Sequence, residues 1–458
     1  MNHREMLEWE RLSMRYNENA IPLYLSYPVE SFWKQRSSLE QHNQSLGSSD
    51  ISFLYFHFPY CKEICHYCMC YKEPLKDDSE LDLYLDYLVR DMDIRLEILK
   101  GGGWRGATHM HWGGGTPTLL SLNQLETIHR AISDRLEFNL DGSHEHSIEA
   151  FPDPQIVTPA KLELLRALGF NVISFGIQDF DGRIQKVINR KHDPGAVREL
   201  IAMAKQLGFR VHVDLCYGLP FQGINELERS INEILPAAPN RICIFPYAHA
   251  PMIFPRQNII PRSSIPSSFI KALMAEQADR LLISDGYVRL GLDHYLNAED
   301  PFLKDLSTSG SKTLMGYSQN DKLNYLGFGA TAISFFDKSF YRTVSSIKEY
   351  YQTIDADQLP VEIHRSYRHN PDDQLRNKLI QDHVLTRFEI DLRRLEQEFD
   401  IDFNSYFQDE LESLKQFEND SLVDLSDPDF IRVSRTGQFF SRHIAHQFDR
   451  FYKQASLQ

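Results

Sequence analysis

The sequence predicts an α/β fold, a parallel sheet wound as a partial or full barrel, with a polar segment before it and an α-rich domain after it. Three observations predict it. Apolar strands alternate with amphipathic helices from residue 52 to 247, the pattern of βαβ units. A helix–glycine–aromatic–strand grammar recurs. Past about residue 370 that alternation stops.

Residues 1–50 are polar and weakly periodic. "SFLYFHFPY" (52–60) reads as a buried strand. Ser79 then reads as the start of a helix, with Asp82 three positions on as its capping-box partner. Leu81, Leu85, Leu88, Met92, Leu96 and Leu99 form one apolar face of that helix. "THMHWGG" is the second strand; "HSIEAF", "NVISFGI", "RVHVDLCYG" and "RICIFPY" follow, each after a helical stretch, making six. In "TPAKLELLRALGFNVISFGI" and "DPGAVRELIAMAKQLGFRVHVDL", Thr158 or Asp193 caps a helix whose first residue is Pro159 or Pro194. Gly169 or Gly208 ends it where a left-handed backbone is wanted. "LLISDGYVRLGLDH" repeats the ending at Gly286, two steps further along the same period. In barrels of this kind the chemistry sits at the C-terminal ends of the strands.

"DDQLRNKLIQDHVLTRF", "DLRRLEQEF" and "FNSYFQDELESLKQF" predict three helices, "LVDLSDPDFIRVS" a two-stranded wing and "TGQFFSRHIAHQFDRFYKQ" another helix. This describes a small winged-helix-like domain. Its acidic balance argues against DNA binding, and a cap or lid on the barrel is the expected role. Domain limits of 1–50, 51–365 and 366–458 follow.

The chain has 458 residues, 49 Lys and Arg against 64 Asp and Glu, and a net charge of −15. That charge argues against a general nucleic-acid binder. The longest apolar runs are too short to span a bilayer. The charged N-terminus lacks an apolar signal core, so a cytoplasmic protein with reduced thiols is expected. Cys216 and Cys243 sit singly in apolar runs and read as small buried hydrophobes.

The other four of the six cysteines fall in "CKEICHYCMC" (61–70). A structural zinc site usually joins two separated ligand pairs, and only one loop is present here. A thioredoxin-like site needs only C-x2-C and leaves Cys61 unexplained. An iron–sulfur cluster takes closely spaced thiolates, and three on four irons leave one iron open. "HWGGGTPT" (111–118) follows the second strand; glycines there let the backbone approach a ligand, and no G-K-[ST] makes it a P-loop.

The C-x3-C-x2-C loop after the first strand, Tyr67 before the last cysteine and "GGGTP" after the second strand together resemble the radical S-adenosylmethionine (SAM) enzymes. "YNENAIPLYLSYP", "SIEA", "FGIQDF", "INR", "VDLCYGLP", "YAHAP", "GLDHY", "MGY" and "LGFGATAIS" extend the resemblance over essentially the whole chain. Together they resemble the oxygen-independent coproporphyrinogen III oxidases. Cys70 and the "YN…SYP" segment separate that family from its haem-chaperone relatives.

The resemblance implies a partial (β/α)6 barrel. It implies a [4Fe–4S] cluster on Cys61, Cys65 and Cys68, with SAM on the open iron and a second SAM beside the first. Tyr55, Tyr67, Gly114, Gly115, Thr116, Glu149, Gln178, Arg190 and Asp214 match the family's SAM contacts, Ala248 a contact near the adenine, and Ile333 a contact to the second SAM. Tyr55 and Cys70 are the candidate catalytic residues, with Cys70 not a ligand. Glu149 suits the SAM ammonium, an arginine a carboxylate and Asp214 ribose hydroxyls. The implied reaction converts two propionates of coproporphyrinogen III to vinyl groups without oxygen, giving protoporphyrinogen IX. A flavodoxin or ferredoxin as electron donor and a monomer are expected. The chain departs from the family at Leu23, where an arginine is common, and at Leu25, Met69, Tyr71 and Pro246, with two extra residues in "EAFPDP". These departures keep open a paralogous radical SAM methyltransferase, and the haem chaperone stands as the non-enzymatic alternative.

Overall fold

The computed structural model describes residues 3–16, 21–35, 37–104, 106–136, 144–300, 302–303, 311–314, 316–318 and 323–455. Residues 17–20 of the "YNENA" motif and Met315 of "MGY" lie outside them.

The six expected strands all form: β1 Phe53–Phe58, β2 His109–Gly114, β3 His146–Ala150, β4 Val172–Gln178, β5 Arg210–Tyr217 and β6 Arg241–Pro246. Neighbours in sequence are neighbours in the sheet, and every pairing is parallel. The helices between them are α1 Asp78–Gly101, α2 Leu122–Arg135, α3 Pro159–Ala167, α4 Pro194–Gln206 and α5 Ile224–Ile234. All six residues named for the apolar face of α1 are buried, each worth about 1.5–3 kcal/mol of transfer free energy. The start of α1 differs from expectation. Asp77, not Ser79, is the cap, accepting from Ser79 N–H. Asp82 instead accepts from Gln124 Nε2 at 2.6 Å, which ties α1 to α2.

The repeat grammar holds at its glycines: Gly169, Gly208 and Gly286 have φ of 91°, 83° and 90°. Thr158 and Asp193 accept from Lys161 N–H and Ala196 N–H. The third step departs, however. After helix α6, Ser268–Ser284, strand β7 (Tyr287–Leu290) turns back in an antiparallel pair with β8 (His294–Asn297), and β8 lies antiparallel to β6. On the other side of β1 lies β9 (Tyr325–Phe328), parallel to it, followed by β10 (Ile333–Phe336), β11 (Ser339–Arg342) and β12 (Tyr367–Arg368), each antiparallel to the one before. The sheet therefore runs from β12 to β7 with two separate edges, a partial barrel of six βα strands extended at both ends.

A second core draws on both ends of the chain. Leu379, Val384, Leu395, Phe407, Leu414 and Ile444 pack in it with Trp9, Leu12, Tyr24 and Tyr27. The wing gains a third strand: Phe430–Val433 pairs with Val423–Asp424 and with Glu389–Asp391. The N-terminal segment, read as weakly periodic, holds two helices, His3–Arg15 and Leu39–Ser48. The first buries Trp9 and Leu12 against the C-terminal residues, so its few apolar positions suffice once a partner surface is present.

Asp420 fastens that helix. It accepts from Arg11 at 2.6 Å, Arg15 at 2.7 Å and Tyr16 at 2.7 Å. Burial pushes its pKa up, but the hydrogen bonds from Arg11, Tyr16 and Arg15 outweigh this and hold it at about 2. A depressed carboxylate stabilises above its ordinary range, and that contribution fades as pH falls through the folded value. Amide-exchange protection of residues 3–15 should therefore fall between about pH 4 and pH 2. In Asp420→Asn it should be weaker at neutral pH and lack this acid step.

Among the described residues, no helix is long and apolar enough to cross a membrane.

Candidate active site

The strand ends converge on one cavity of about 510 Å³. Its walls are the cysteine loop, the glycine loop after β2, the C-terminal ends of β3 to β6, the tip of the N-terminal segment and residues 438–442.

The cysteine loop is held at both ends and in the middle. Tyr60–Cys61 pairs with Glu73–Pro74. Asn189 Nδ2 donates to Ile64 O at 3.1 Å, and His66 N–H donates to Ile188 O at 2.9 Å. Lys72 Nζ donates to Cys68 O and Cys70 O. Loops pinned in this way can present several side chains to one point without further ordering cost. Cys61, Cys65, Cys68 and Cys70 all line the cavity, and all six cysteines of the chain are unbridged.

Each cluster candidate has its own sulfur environment. Thr116 Oγ1 donates to Cys61 Sγ at 3.6 Å, and Arg190 Nη1 donates to Cys65 Sγ at 3.4 Å. Burial pushes the Cys61 thiol up to about 11. Cys68 moves the other way, to about 6, through a hydrogen bond from Cys70 against the opposing effect of burial.

The glycine loop meets the backbone-approach expectation. Gly114 has φ of 104° and donates its N–H to Glu149 Oε2 at 3.1 Å. A Cβ on Gly115 would lie 2.5 Å from Tyr60 O and 2.6 Å from Phe58 O, and backbone atoms cannot swing away. Both glycines and Thr116 line the cavity.

Glu149, next to last in β3, has its side chain 42% exposed and lies 3.3 Å from His111 Nε2. Burial works to raise its pKa, but the contacts from His111 and Gly114 N–H prevail and keep it below the usual carboxylate range. Asp214 on β5 accepts from Ser174 Oγ at 3.4 Å. Burial, then the Glu149 charge, pushes it up to about 7. Gln178 leaves Oε1 buried without a partner at the end of β4. Arg190 donates Nε to Gly176 O at 2.8 Å and lies over the Phe151 ring at 4.6 Å.

Tyr67, Glu149, Gln178, Arg190, Asp214 and Ala248 all reach the cavity wall, although they come from six segments. Tyr55 and Ile333 are not among its lining residues. Tyr55 donates to or accepts from His57 Nδ1 at 2.7 Å and stacks on His111. Its phenol pKa is raised by burial and then by Glu149 and Cys70, so it lies within electrostatic reach of the site. Ile333 is two strands away: Tyr55 pairs with Gly327, and a Cβ there would touch Ile333 O at 2.5 Å. Cys216 is fully buried, as read. Cys243 is not: it is half-buried and lines the cavity beside Asp293 because its strand position alternates inward next to Asp214.

The donor set fits the implied group: the four loop cysteines line the cavity, Cys61 and Cys65 accepting hydrogen bonds at sulfur, together with two carboxylates and an orphaned amide oxygen. A radical SAM superfamily model matches residues 55–234. An oxygen-independent coproporphyrinogen III oxidase of Pseudomonas aeruginosa is 32% identical over 98% of this chain and 97% of its own length. The chain belongs to the oxygen-independent coproporphyrinogen III oxidase family. The Escherichia coli member is 30% identical over 98% of this chain and 97% of its own length. The solved structure of coproporphyrinogen III oxidase from E. coli, a radical SAM enzyme, superposes with a TM-score of 0.84 at 28% identity, covering 93% of this chain and 99% of that one.

Within the family frame, several residues in or beside the cavity escaped sequence reading. Asp293 lines it, His111 bonds Glu149 from behind the wall, and Cys243, Asp293 and His294 bring their donor atoms within 4.8 Å of one another. Arg289, Lys312 and Arg442 carried no local signal. Of the departures, Leu23, Leu25, Met69 and Pro246 line the cavity. Tyr71 does not; its hydroxyl bonds Glu73 at 3.0 Å and accepts from Ile347 N–H.

Glu149→Gln should keep the fold, since the amide is isosteric, but lose one charge. With Glu149 as the proposed partner of the SAM ammonium, a charge-assisted hydrogen bond worth about 1.5–3 kcal/mol is lost and SAM affinity should fall by about 10- to 150-fold. Equilibrium binding of SAM to the reconstituted protein measures it.

Proposed function

We propose that this protein is a radical SAM oxidoreductase that converts two propionates of coproporphyrinogen III to vinyl groups, giving protoporphyrinogen IX without oxygen in haem biosynthesis. The observation that carries the reading is the convergence of Cys61, Cys65, Cys68, the glycine loop, Glu149 and Asp214 on one cavity, in a chain that aligns with the family over almost its full length.

Cys61, Cys65 and Cys68 would hold a [4Fe–4S] cluster. That cluster, once bound with SAM, supplies reductive cleavage of SAM and so a 5′-deoxyadenosyl radical able to remove a hydrogen atom. The residues of the chain bind, orient and shield. Glu149, ionised at neutral pH, receives the SAM ammonium. Gln178 Oε1 accepts a hydrogen bond that no protein group offers it, and Asp214 faces the ribose hydroxyls. Arg190 holds Cys65 and is placed for a carboxylate. Gly114 and Gly115 let the backbone approach the methionine part, and Ala248 leaves room for the adenine. Tyr55 remains a proposed SAM contact and Ile333 a proposed contact to the second SAM, both on the family resemblance. Each propionate loses a β-hydrogen, carbon dioxide and one electron. Leu23, Leu25 and Phe151 present apolar wall to the macrocycle.

In this reading residues 1–50 form a substrate-side lid, 51–365 the barrel with its extension and 366–458 the C-terminal domain, which supplies part of the cavity wall. The protein acts in the cytoplasm as a monomer, with flavodoxin or ferredoxin as the electron donor. The test is anaerobic: reconstitute the cluster, add SAM, reductant and coproporphyrinogen III, and measure protoporphyrinogen IX with 5′-deoxyadenosine. Formation of both supports the reading. Methyl transfer to the porphyrin, or 5′-deoxyadenosine with no vinyl product, overturns it.

A further inference from the structure

The chain carries a net charge of −15, yet two segments beside the cysteine loop are basic. Residues 246–267, which follow β6, contain Arg256 and Arg262 and no Asp or Glu. Residues 182–192 contain Arg183, Lys186, Arg190 and Lys191 and again no acid. Arg183, Lys186, Arg256 and Arg262 are exposed. The segments adjoin: Phe221 N–H donates to Ser264 O at 2.7 Å, and Arg183 lies over the Phe221 ring at 3.9 Å. The flanking acids are engaged elsewhere. Asp181 caps the helix Gly182–Ile188 and faces Arg229, and Asp193 caps α4. In the same loop as Arg256 and Arg262 stands an apolar prominence: Met252, Ile253 and Ile259 are 96%, 72% and 58% exposed. Exposed apolar residues standing singly are ordinary, but three in one short loop mark a contact surface. An apolar centre with a charged rim is the anatomy of a protein interface.

This surface backs onto the cysteine loop. Ile184, Ile188 and Ile260 share one buried cluster with Cys65 and Tyr67, and Cys68 and Val187 pack against it. Gln257 Nε2 donates to Tyr67 O at 3.1 Å, and Asn189 and Ile188 hold the loop from the helix side. None of the four exposed cations and none of the three apolar residues lines the cavity. Lys62 and Glu63 do line it, side by side with opposite charges. Substrate and SAM, bound in the cavity, therefore leave the outer face free. A face outside the cavity and one helix away from the thiols suits a partner that exchanges electrons rather than atoms.

We propose that the face formed by residues 252–262 and the helix Gly182–Ile188 is the docking site of an acidic, flavodoxin-type electron carrier. The cations on the rim meet carboxylates of the carrier and steer its approach. The apolar centre meets the hydrocarbon edge of its flavin. One electron passes from the reduced flavin to the cluster, so the carrier is oxidised by one electron and the cluster reduced by one, and no atom crosses the interface. The contact belongs to the small, transient class of redox encounters. The assignment rests on the proposed function and deepens it by placing the entry point of its electron.

Isothermal titration calorimetry of the reconstituted protein with an oxidised bacterial flavodoxin measures binding without turnover. Affinity should fall at least ~10-fold between about 0.05 and 0.3 M salt, as screening weakens the charged rim. The double variants Arg256→Glu/Arg262→Glu and Met252→Asp/Ile253→Asp should each bind at least ~10-fold more weakly than wild type. All four positions are exposed, so the fold should hold. 5′-Deoxyadenosine formation driven by dithionite, which needs no docking, should stay at the wild-type rate in both variants. Formation driven by reduced flavodoxin should fall with the affinity. Wild-type flavodoxin affinity in both variants overturns the docking face. So does a ferredoxin, or a phosphatidylserine vesicle, that binds wild type and is lost in the variants where flavodoxin is not. The salt series on wild type needs no variant to fold, and no binding, or binding that ignores salt, overturns the face as well. Vinyl product from wild type with dithionite leaves the proposed function intact in each of these cases. Its absence overturns both.

Discussion

Cys65→Ala should yield a folded protein without a cluster. Its iron content and its brown absorbance should both fall to background after anaerobic reconstitution. 5′-Deoxyadenosine formation should fall by well over the roughly 10- to 100-fold that losing an outer-shell partner costs. The reason lies in the number of donors. All four cysteines of the loop line the cavity, and Cys61, Cys65 and Cys68 are the three proposed as ligands. No spare thiol can replace Cys65 without rebuilding a loop that Asn189, His66 and Lys72 hold in place. The substitution removes one small side chain from a nearly buried site, so unfolding should change little. Cys70→Ser is the paired control. It keeps the three proposed ligands, so iron should remain. Loss of all iron in Cys70→Ser would make Cys70 a ligand and contradict the assignment.

Asp91→Ala should be among the most damaging single substitutions for stability, at about 3–5 kcal/mol, because it strands a buried cation. Asp91 and Arg95 are 0% and 1% exposed and 2.6 Å apart on one face of α1. The second Asp91 oxygen accepts from Gly329 N–H and from Tyr350 OH, both at 3.0 Å. Arg95 also donates to Thr343 at 3.2 Å. This one carboxylate therefore fastens the first helix of the barrel to residues more than two hundred positions later. Denaturant unfolding followed by far-UV circular dichroism measures the loss. A change below about 1 kcal/mol, the usual range for a surface pair, would show that solvent reaches Arg95 once Asp91 is gone.

Much of the fold was legible because it is periodic. Each of the six strands appears within a residue or two of its expected place, since apolar runs bounded by glycine and capped helices leave few alternatives. The face of α1 could be named residue by residue for the same reason. The cap of α1 could not, because Asp77 and Ser79 are both good cap residues and only the backbone decides between them. The orientation of β7 was also illegible: Gly286 ends its helix as Gly169 and Gly208 do, but strand direction depends on what comes next, and β8 returns at once. The helix His3–Arg15 shows a weak pattern because its apolar positions need the C-terminal core to bury them.

The site divides in the same way. The sequence by itself placed four thiols in one short loop and glycines after the second strand, because both are read from spacing along a short segment; the family resemblance chose the cluster among the chemistries such a loop allows, and the backbone showed why Gly114 and Gly115 are glycines. Family resemblance carried Glu149, Gln178, Arg190 and Asp214, and the tertiary structure brought their side chains to one wall. Only the tertiary structure showed that Cys243 faces the cavity next to Asp214 and that Lys312 reaches Tyr24 O. Those facts depend on contacts between segments up to several hundred residues apart, and no local pattern encodes which surface a distant side chain will meet.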